Sequence, residues 1–154
     1  SAVYSSALLR AWNTAEVIGR RHDLPVRVEH DVRELDHGAL EGLTFEEIKR
    51  QYPDFIQKWR TEPADLQVPG GERLSDVQQR ALAALQRIAI AHEESERVIV
   101  VSHNFPILGI ICHVTGTHLN NYREFRVEPC SHARLKRERQ LWRLTYMDDQ
   151  AYLK

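Results

Sequence analysis

Apolar side chains recur at helical spacing from Ala7 to about Arg21, at Leu8, Leu9, Trp12, Ala15, Val17 and Ile18, and Pro25 ends that element. A short β-prone stretch, Ala2-Val3-Tyr4, precedes it, and Ser5 or Ser6 is placed to cap the helix. Val26 and Val28 alternate with Arg27 and Glu29, which predicts a strand running towards Val32. Thr44, with Glu47 three residues on, forms a capping box for a short helix through Tyr52. From Pro53 to Gly71 the chain is broken by Pro53, Pro63, Pro69 and the Gly70-Gly71 pair, so an irregular loop with a helical piece is expected. Ser75 is the expected cap of the longest helix, which runs to about His92 with Val77, Ala81, Leu82, Leu85, Ile88 and Ala89 on one face.

Arg97 to Val101 contains four consecutive β-branched apolar residues, the pattern of a strand covered on both faces. His103 and Asn104 turn the chain, and Pro106 suits the first turn of a further helix that ends near Gly116. From about Tyr122 to Tyr146 two or three strands are expected, with Ala133 to Arg137 and Leu141 to Tyr146 as a hairpin around Glu138-Arg139-Gln140. Strands alternating with helices predict an α/β sandwich of three layers around a mainly parallel central sheet, and the length suits one domain over residues 1–154.

Composition removes several classes. With 21 basic and 22 acidic residues and a net charge of −1, no polyanion-binding footprint appears, so no nucleic acid partner is expected. The longest apolar run, Phe105 to Cys112, is far short of the ~20 residues that span a bilayer. The opening Ser1-Ala2-Val3-Tyr4 shows no basic region ahead of an apolar one, so neither a membrane anchor nor a secretory leader is expected. Cys112 reads as a small core residue. Cys130 has His132 nearby, but two ligands without a second pair do not make a zinc site. A reducing, cytoplasmic setting follows from this cysteine usage.

Three stretches carry candidate chemistry. In Val98-Ile-Val-Val-Ser-His103-Asn104-Phe-Pro, a polar pair at the carboxyl end of a buried strand leads into a helix, where open α/β sheets bind ligands and free helix amides favour an anion. His103 there either hydrogen-bonds a phosphoryl oxygen and moves a proton, or merely caps the helix or packs on the sheet edge. Arg10, in the first turn after Ser5-Ser6, offers a fork of donors for phosphate or carboxylate, or is a solvated surface arginine. Arg33-Glu34-Leu35-Asp36-His37-Gly38-Ala39-Leu40-Glu41-Gly42 sets three carboxylates and a histidine in a strand-to-loop transition closed by two glycines, which is either the seat of a general acid or a charged loop. For Pro69-Gly-Gly-Glu72 a tight turn into the long helix is a sufficient reading. The basic run Arg134 to Arg139 reads as the solvated face of the hairpin, and Trp12, Trp59 and Trp142 as packing residues.

Taken in order, these segments resemble the histidine phosphatase superfamily, which includes the phosphoglycerate mutase-like enzymes. Tyr4-Ser-Ser-Ala-Leu-Leu-Arg-Ala-Trp-Asn-Thr-Ala15 is similar to the family's YSS-x-L-x-RA-x-x-TA segment. Glu34-Leu-Asp-His-Gly-Ala-Leu-Glu-Gly42 is similar to its E-x-x-x-G-x-x-EG segment. Pro69-Gly-Gly-Glu-Arg73 resembles its PGGES turn with arginine in the serine place, and Val101-Ser-His-Asn104 its VSHG segment with asparagine in the glycine place. The resemblance covers almost the whole chain.

What the resemblance implies is a set of roles. Arg10 corresponds to the second arginine of the phosphate pocket, Glu34 to the proton donor, and His103 to the second active-site histidine. Asn104 lends its backbone amide to phosphate. The implied mechanism is a two-step phosphoryl transfer in which a histidine of an Arg-His-Gly motif attacks phosphorus, Glu34 protonates the leaving oxygen, and water then hydrolyses the phosphohistidine. No metal or other cofactor is required, and a small phosphorylated metabolite is the implied substrate. Arg-His-Gly occurs nowhere in the sequence. The family pattern therefore implies an N-terminally incomplete domain, missing its first strand, nucleophile loop and first helix, that is inactive by itself. It also implies exposed strand edges, and with them self-association or a partner segment. Between hydrolase and cofactor-dependent mutase, the short stretch from Tyr52 to Pro69 favours the phosphatase, because the mutases usually carry a longer insertion there. A chain that binds phosphorylated ligands without turnover is the third reading. Selectivity is expected from residues 52–68, His37 and Phe105.

Overall fold

The computed structural model describes residues 1–139 and 141–148. Strand β1 (Ala2–Ser5) lies between β2 (Val26–Val28) and β3 (Val98–Val101), and both pairings are parallel. Val3 stands level with Val26 on one side and Ile99 on the other. A second sheet, antiparallel and two-stranded, is formed by β4 (His132–Glu138) and β5 (Leu141–Asp148). An α/β architecture with a parallel sheet is therefore present, as the alternation of elements predicted. The hairpin stands where it was expected, although Gln140 in its turn lies outside the described residues. Residues 119–124, ahead of it, form a 3₁₀ segment, so the C-terminal region has two strands and no third among the described residues.

Helix α1 (Leu9–His22) packs on β1 through Ala11, Ala15 and Gly19. Small residues let it come close: a β-carbon on Gly19 would sit 2.6 Å from the Leu24 carbonyl oxygen. Neither serine caps this helix by side chain. Leu8 holds the cap position, and Ser6 Oγ instead accepts from the Leu8 N–H in the turn before it. The capping box at Thr44 and Glu47 is present and starts α2 (Phe45–Gln51). The stretch after it is more regular than its prolines suggest. Pro53 takes the first position of α3 (Pro53–Thr61), where its missing N–H costs nothing.

Helix α4 (Leu74–Ile90) begins two residues earlier than expected, with Arg73 as its cap residue, so Ser75 falls inside the first turn and makes no side-chain cap. Its buried face is Leu74, Val77, Ala81, Ala84, Ile88 and Ala89, while Leu82 and Leu85 are half-buried. Helix α5 (Asn104–Thr115) packs against α4 and ends at Gly116, whose φ of 73° is the left-handed geometry of a helix stop. Two apolar clusters hold this part together. One gathers Leu74, Leu108, Cys112 and Tyr122, the other Leu35, Leu40, Val68 and Val77, and Trp59 and Phe105 pack against both.

Two expectations fail at the sheet. Strand β3 is not covered on both faces: Ile99 is 39% and Val100 36% exposed. It pairs only with β1 among the described residues, which leaves its other edge open. Strand β2 stops at Val28 and does not reach Val32, because residues 30–32 turn into a 3₁₀ segment. No described helix is long and apolar enough to cross a membrane.

Candidate active site

The carboxyl ends of β1 and β3 define the site. Ser5 ends β1 and Ser6 follows it, both fully buried, and the Ser6 N–H donates to the Val101 carbonyl, 3.0 Å away, which zips the two strand ends together. The chain then enters α1, with Arg10 exposed in its first turn. Among the described residues the Arg10 guanidinium has no hydrogen-bond or ion-pair partner.

His103 closes β3 and stands at the cap position of α5, yet its side chain makes no cap hydrogen bond. It is only 7% exposed, and its Nε2 is buried without a partner. Burial holds its pKa below the ordinary histidine value. The Arg10 and Arg80 charges push the same way, against a smaller opposing pull from Glu34. The imidazole is therefore favoured in its neutral form.

Glu34 reaches this helix from a segment 70 residues earlier. Its Oε2 accepts from the Asn104 N–H and its Oε1 from the Phe105 N–H, each at 3.1 Å, while Oε1 also accepts from the Leu35 N–H at 2.9 Å. A carboxylate from elsewhere in the chain thus caps the first amides of α5, at the positive end of the helix dipole. The amide of Asn104 that the family pattern gives to phosphate is engaged by Glu34 in this structure. His37 and Phe105 stand side by side with ring centroids 6.0 Å apart, and Trp59 meets Phe105 edge-on at 6.0 Å.

The segment that carries Glu34 is not a strand, so its carbonyls find other partners. Arg80 Nη1 donates to the Asp31 and Arg33 carbonyls at 2.7 Å each, and Nη2 to the Glu34 carbonyl at 2.9 Å. Ser102 Oγ donates to the intervening Val32 carbonyl at 2.7 Å. Arg80 is itself held by Glu72, from Nε and Nη2 at 2.9 Å each. Burial works against the charge on Glu72, but hydrogen bonds from Arg80 and the Asp36 N–H, with the Arg80 and Arg33 charges, outweigh it and lower its pKa. The Pro69-Gly-Gly-Glu72 turn therefore does more than start a helix. Gly71 lies against the Glu34 segment so closely that a β-carbon there would fall 2.2 Å from the Asp36 carbonyl oxygen.

Sequence reasoning singled out Arg10, Glu34, His103 and Asn104, which the structure places around the start of α5, and gave no part to Arg80, Glu72 or Ser102. The one local sign was a guanidinium at Arg80, beside the buried positions Val77 and Ala81 of an amphipathic helix. No group of three or more His, Cys, Asp or Glu side chains that could hold a metal ion occurs among the described residues.

The model of the histidine phosphatase superfamily (branch 1) matches residues 1–150, and the chain belongs to that family. Phosphoserine phosphatase 1 of Hydrogenobacter thermophilus is 32% identical over 131 residues, which are 85% of this chain and 62% of that protein. The metal-independent phosphoserine phosphatase of Arabidopsis thaliana is 36% identical over 116 residues, 74% of this chain and 48% of its own length. This chain thus spans less than two thirds of either relative. Among solved structures, Bacillus stearothermophilus YhfR aligns with a TM-score of 0.92 at 27% identity, over 99% of this chain and 76% of that one. A mycobacterial glucosyl-3-phosphoglycerate phosphatase aligns at 0.82 and 26% identity, over 93% and 74%.

Proposed function

We propose that residues 1–154, as one domain, supply the phosphate pocket and the proton donor of a phosphomonoester hydrolase that works through a phosphohistidine. The observation that carries this reading is the convergence on α5. A buried, unpartnered His103 Nε2 lies under the influence of Arg10 and Glu34, at the first amides of a helix. A neutral imidazole and a free guanidinium suit a dianionic phosphoryl group, whose charge a set of fixed donors stabilises during transfer. Arg10 and His103 hold the phosphoryl oxygens, and Glu34 protonates the leaving oxygen. As phosphate takes the Asn104 amide, the Glu34 carboxyl, protonated from solvent, turns from that amide to the leaving oxygen while its backbone stays where Arg80 holds it.

The names of the relatives, phosphoserine and glucosyl-3-phosphoglycerate phosphatases, support a small phosphorylated metabolite as substrate. The aromatic edge of His37, Phe105 and Trp59 is where its carbon skeleton would rest. Two cysteines without a disulfide suit the reducing cytoplasm. The open edge of β3, with Ile99 and Val100 exposed, supports self-association.

The test is ligand protection followed by turnover. Orthovanadate and inorganic phosphate should each raise the melting temperature of this chain, and Arg10→Ala or His103→Ala should abolish the shift. The 154-residue chain should show no phosphohistidine turnover. A polypeptide that joins this domain to an Arg-His-Gly segment should release free phosphate from an aryl phosphate without a bisphosphorylated primer. A melting temperature unmoved by either anion overturns the pocket, and a need for the primer turns the reading to a mutase.

A further inference from the structure

We propose that Arg80, locked by Glu72, is the positioning residue for Glu34, and that with Ser102 it holds the Glu34 carboxylate on α5 by gripping the backbone behind it. Its catalytic meaning rests on the reading of Glu34 as proton donor.

The segment from Asp31 to Glu34 leaves the sheet after β2 and loses the ladder that would have satisfied its carbonyls. Four consecutive carbonyls are taken instead by two side chains, Asp31, Arg33 and Glu34 by Arg80 and Val32 by Ser102. A guanidinium has five N–H donors in a fixed plane. Arg80 commits all five, three to these carbonyls and two to the Glu72 carboxylate. A lysine could not copy this, since an ammonium has three donors and no plane. Glu72 is fixed in turn by the Asp36 N–H and by Arg33. Ser102, directly before His103, ties the same segment to the strand end from which α5 starts. The backbone of Glu34 is thus referenced both to α4 and to the β3–α5 junction. Its carboxylate then has only the side-chain torsions left, and these place it on the Asn104 and Phe105 amides. The turn Pro69 to Glu72 acquires a purpose that helix entry alone did not give it, since it brings Glu72 to face Arg80.

A role confined to holding the fold together would weaken α5 throughout, whereas a positioning role is read at two amides. Hydrogen exchange should be followed by NMR in this chain at Asn104 and Phe105, with Ile111 and Cys112 deeper in α5 as internal references. Glu34→Ala sets the scale and should speed exchange at the first two amides roughly 10-fold or more, leaving the references within about 3-fold. Arg80→Lys and Glu72→Gln should reproduce that pattern, and Arg80→Lys should add nothing in the Glu34→Ala background. Wild-type protection of Asn104 and Phe105 in both variants, or an equal loss along the whole helix, overturns the proposal. A variant that fails to fold leaves the other to decide. In a polypeptide that joins this domain to an Arg-His-Gly segment, Arg80→Lys should lower kcat for an aryl phosphate roughly 10-fold with KM unchanged. If the exchange pattern holds while Glu34→Gln keeps full kcat, the proton-donor reading fails and the clamp stands. If Glu34→Gln abolishes kcat while the exchange pattern is absent, the clamp fails and the donor reading stands.

Discussion

On the flank of the site that carries Glu34, four consecutive carbonyls, a carboxylate and a guanidinium are all engaged by named partners. On the flank that carries Arg10, the guanidinium has no partner among the described residues, and the neighbouring apolar side chains Leu9, Ile99 and Val100 are open to solvent. One flank is fixed by polar contacts of high directionality, the other offers a cation on the first turn of a helix whose outward face is unfinished. The difference is that hydrogen bonds fix the backbone behind Glu34, whereas the Arg10 guanidinium is left without a partner among the described residues.

The contrast can be broken most strongly at Gly71. A β-carbon there would fall 2.2 Å from the Asp36 carbonyl oxygen, backbone that cannot swing away. Gly71→Ala should cost about 3 kcal/mol of unfolding free energy by urea titration, in the upper range of overpacking effects. A loss under about 0.5 kcal/mol, the ordinary surface range, would show that the fixed flank is softer than described.

A smaller effect should appear with pH. The folded-state pKa of His103 lies below its unfolded value, so the unfolded chain takes up the proton first as pH falls. Stability from keeping this ring neutral is fully present above the unfolded value of about 6.5 and declines below it, towards the folded pKa. Urea midpoints measured from pH 7.5 down to 5.5 should fall in the wild type and fall less in His103→Asn. Parallel curves would contradict the burial of this ring. Glu72, whose folded pKa is also lowered, adds its own loss only as pH drops below the usual carboxylate range.

The smallest effect on stability is expected on the open flank. Ile99→Lys places a charge on a solvent-facing edge and should change unfolding free energy by no more than about 0.5 kcal/mol. Light scattering should nonetheless show weaker self-association, since inserted lysines block edge pairing. A monomer in both forms would remove the edge as an association surface.

Much of this architecture was legible because its causes are local. Thr44 and Glu47 reach each other across one helical turn, Gly116 supplies a left-handed stop, and the β-branched run Val98 to Val101 favours a strand. Other features have distant causes. Strand β2 ends at Val28 because carbonyls from residue 31 onward are claimed by Arg80 and Ser102, some 46 to 70 residues later, and no spacing rule sees such a pair. Ser75 was passed over as a cap because the helix, with Leu74 fully buried in its first turn, starts two residues sooner. Strand β3 has the composition of a fully covered strand but lies at a sheet edge, a fact of topology that composition does not carry. At the site, the residue types at Arg10, Glu34 and His103 were readable, whereas the carboxylate's seat on α5 was not.

The contact between residues 38–39 and 69–71 has one more consequence. The Ala39 N–H donates to the Pro69 carbonyl at 2.8 Å, so the intervening stretch leaves and rejoins the domain at nearly the same point. Such a closed excursion can change length at little cost, since loop entropy grows only with the logarithm of its size. Helices α2 and α3 lie within it, and so do Phe55 and Trp59, which stack on each other, with Trp59 edge-on to Phe105. Under the proposed function, ligand preference is thereby separable from the placement of Glu34. An exchange of residues 40–68 for another sequence could alter what the domain selects while the anchor points of Glu34, all outside that interval, stay where they are.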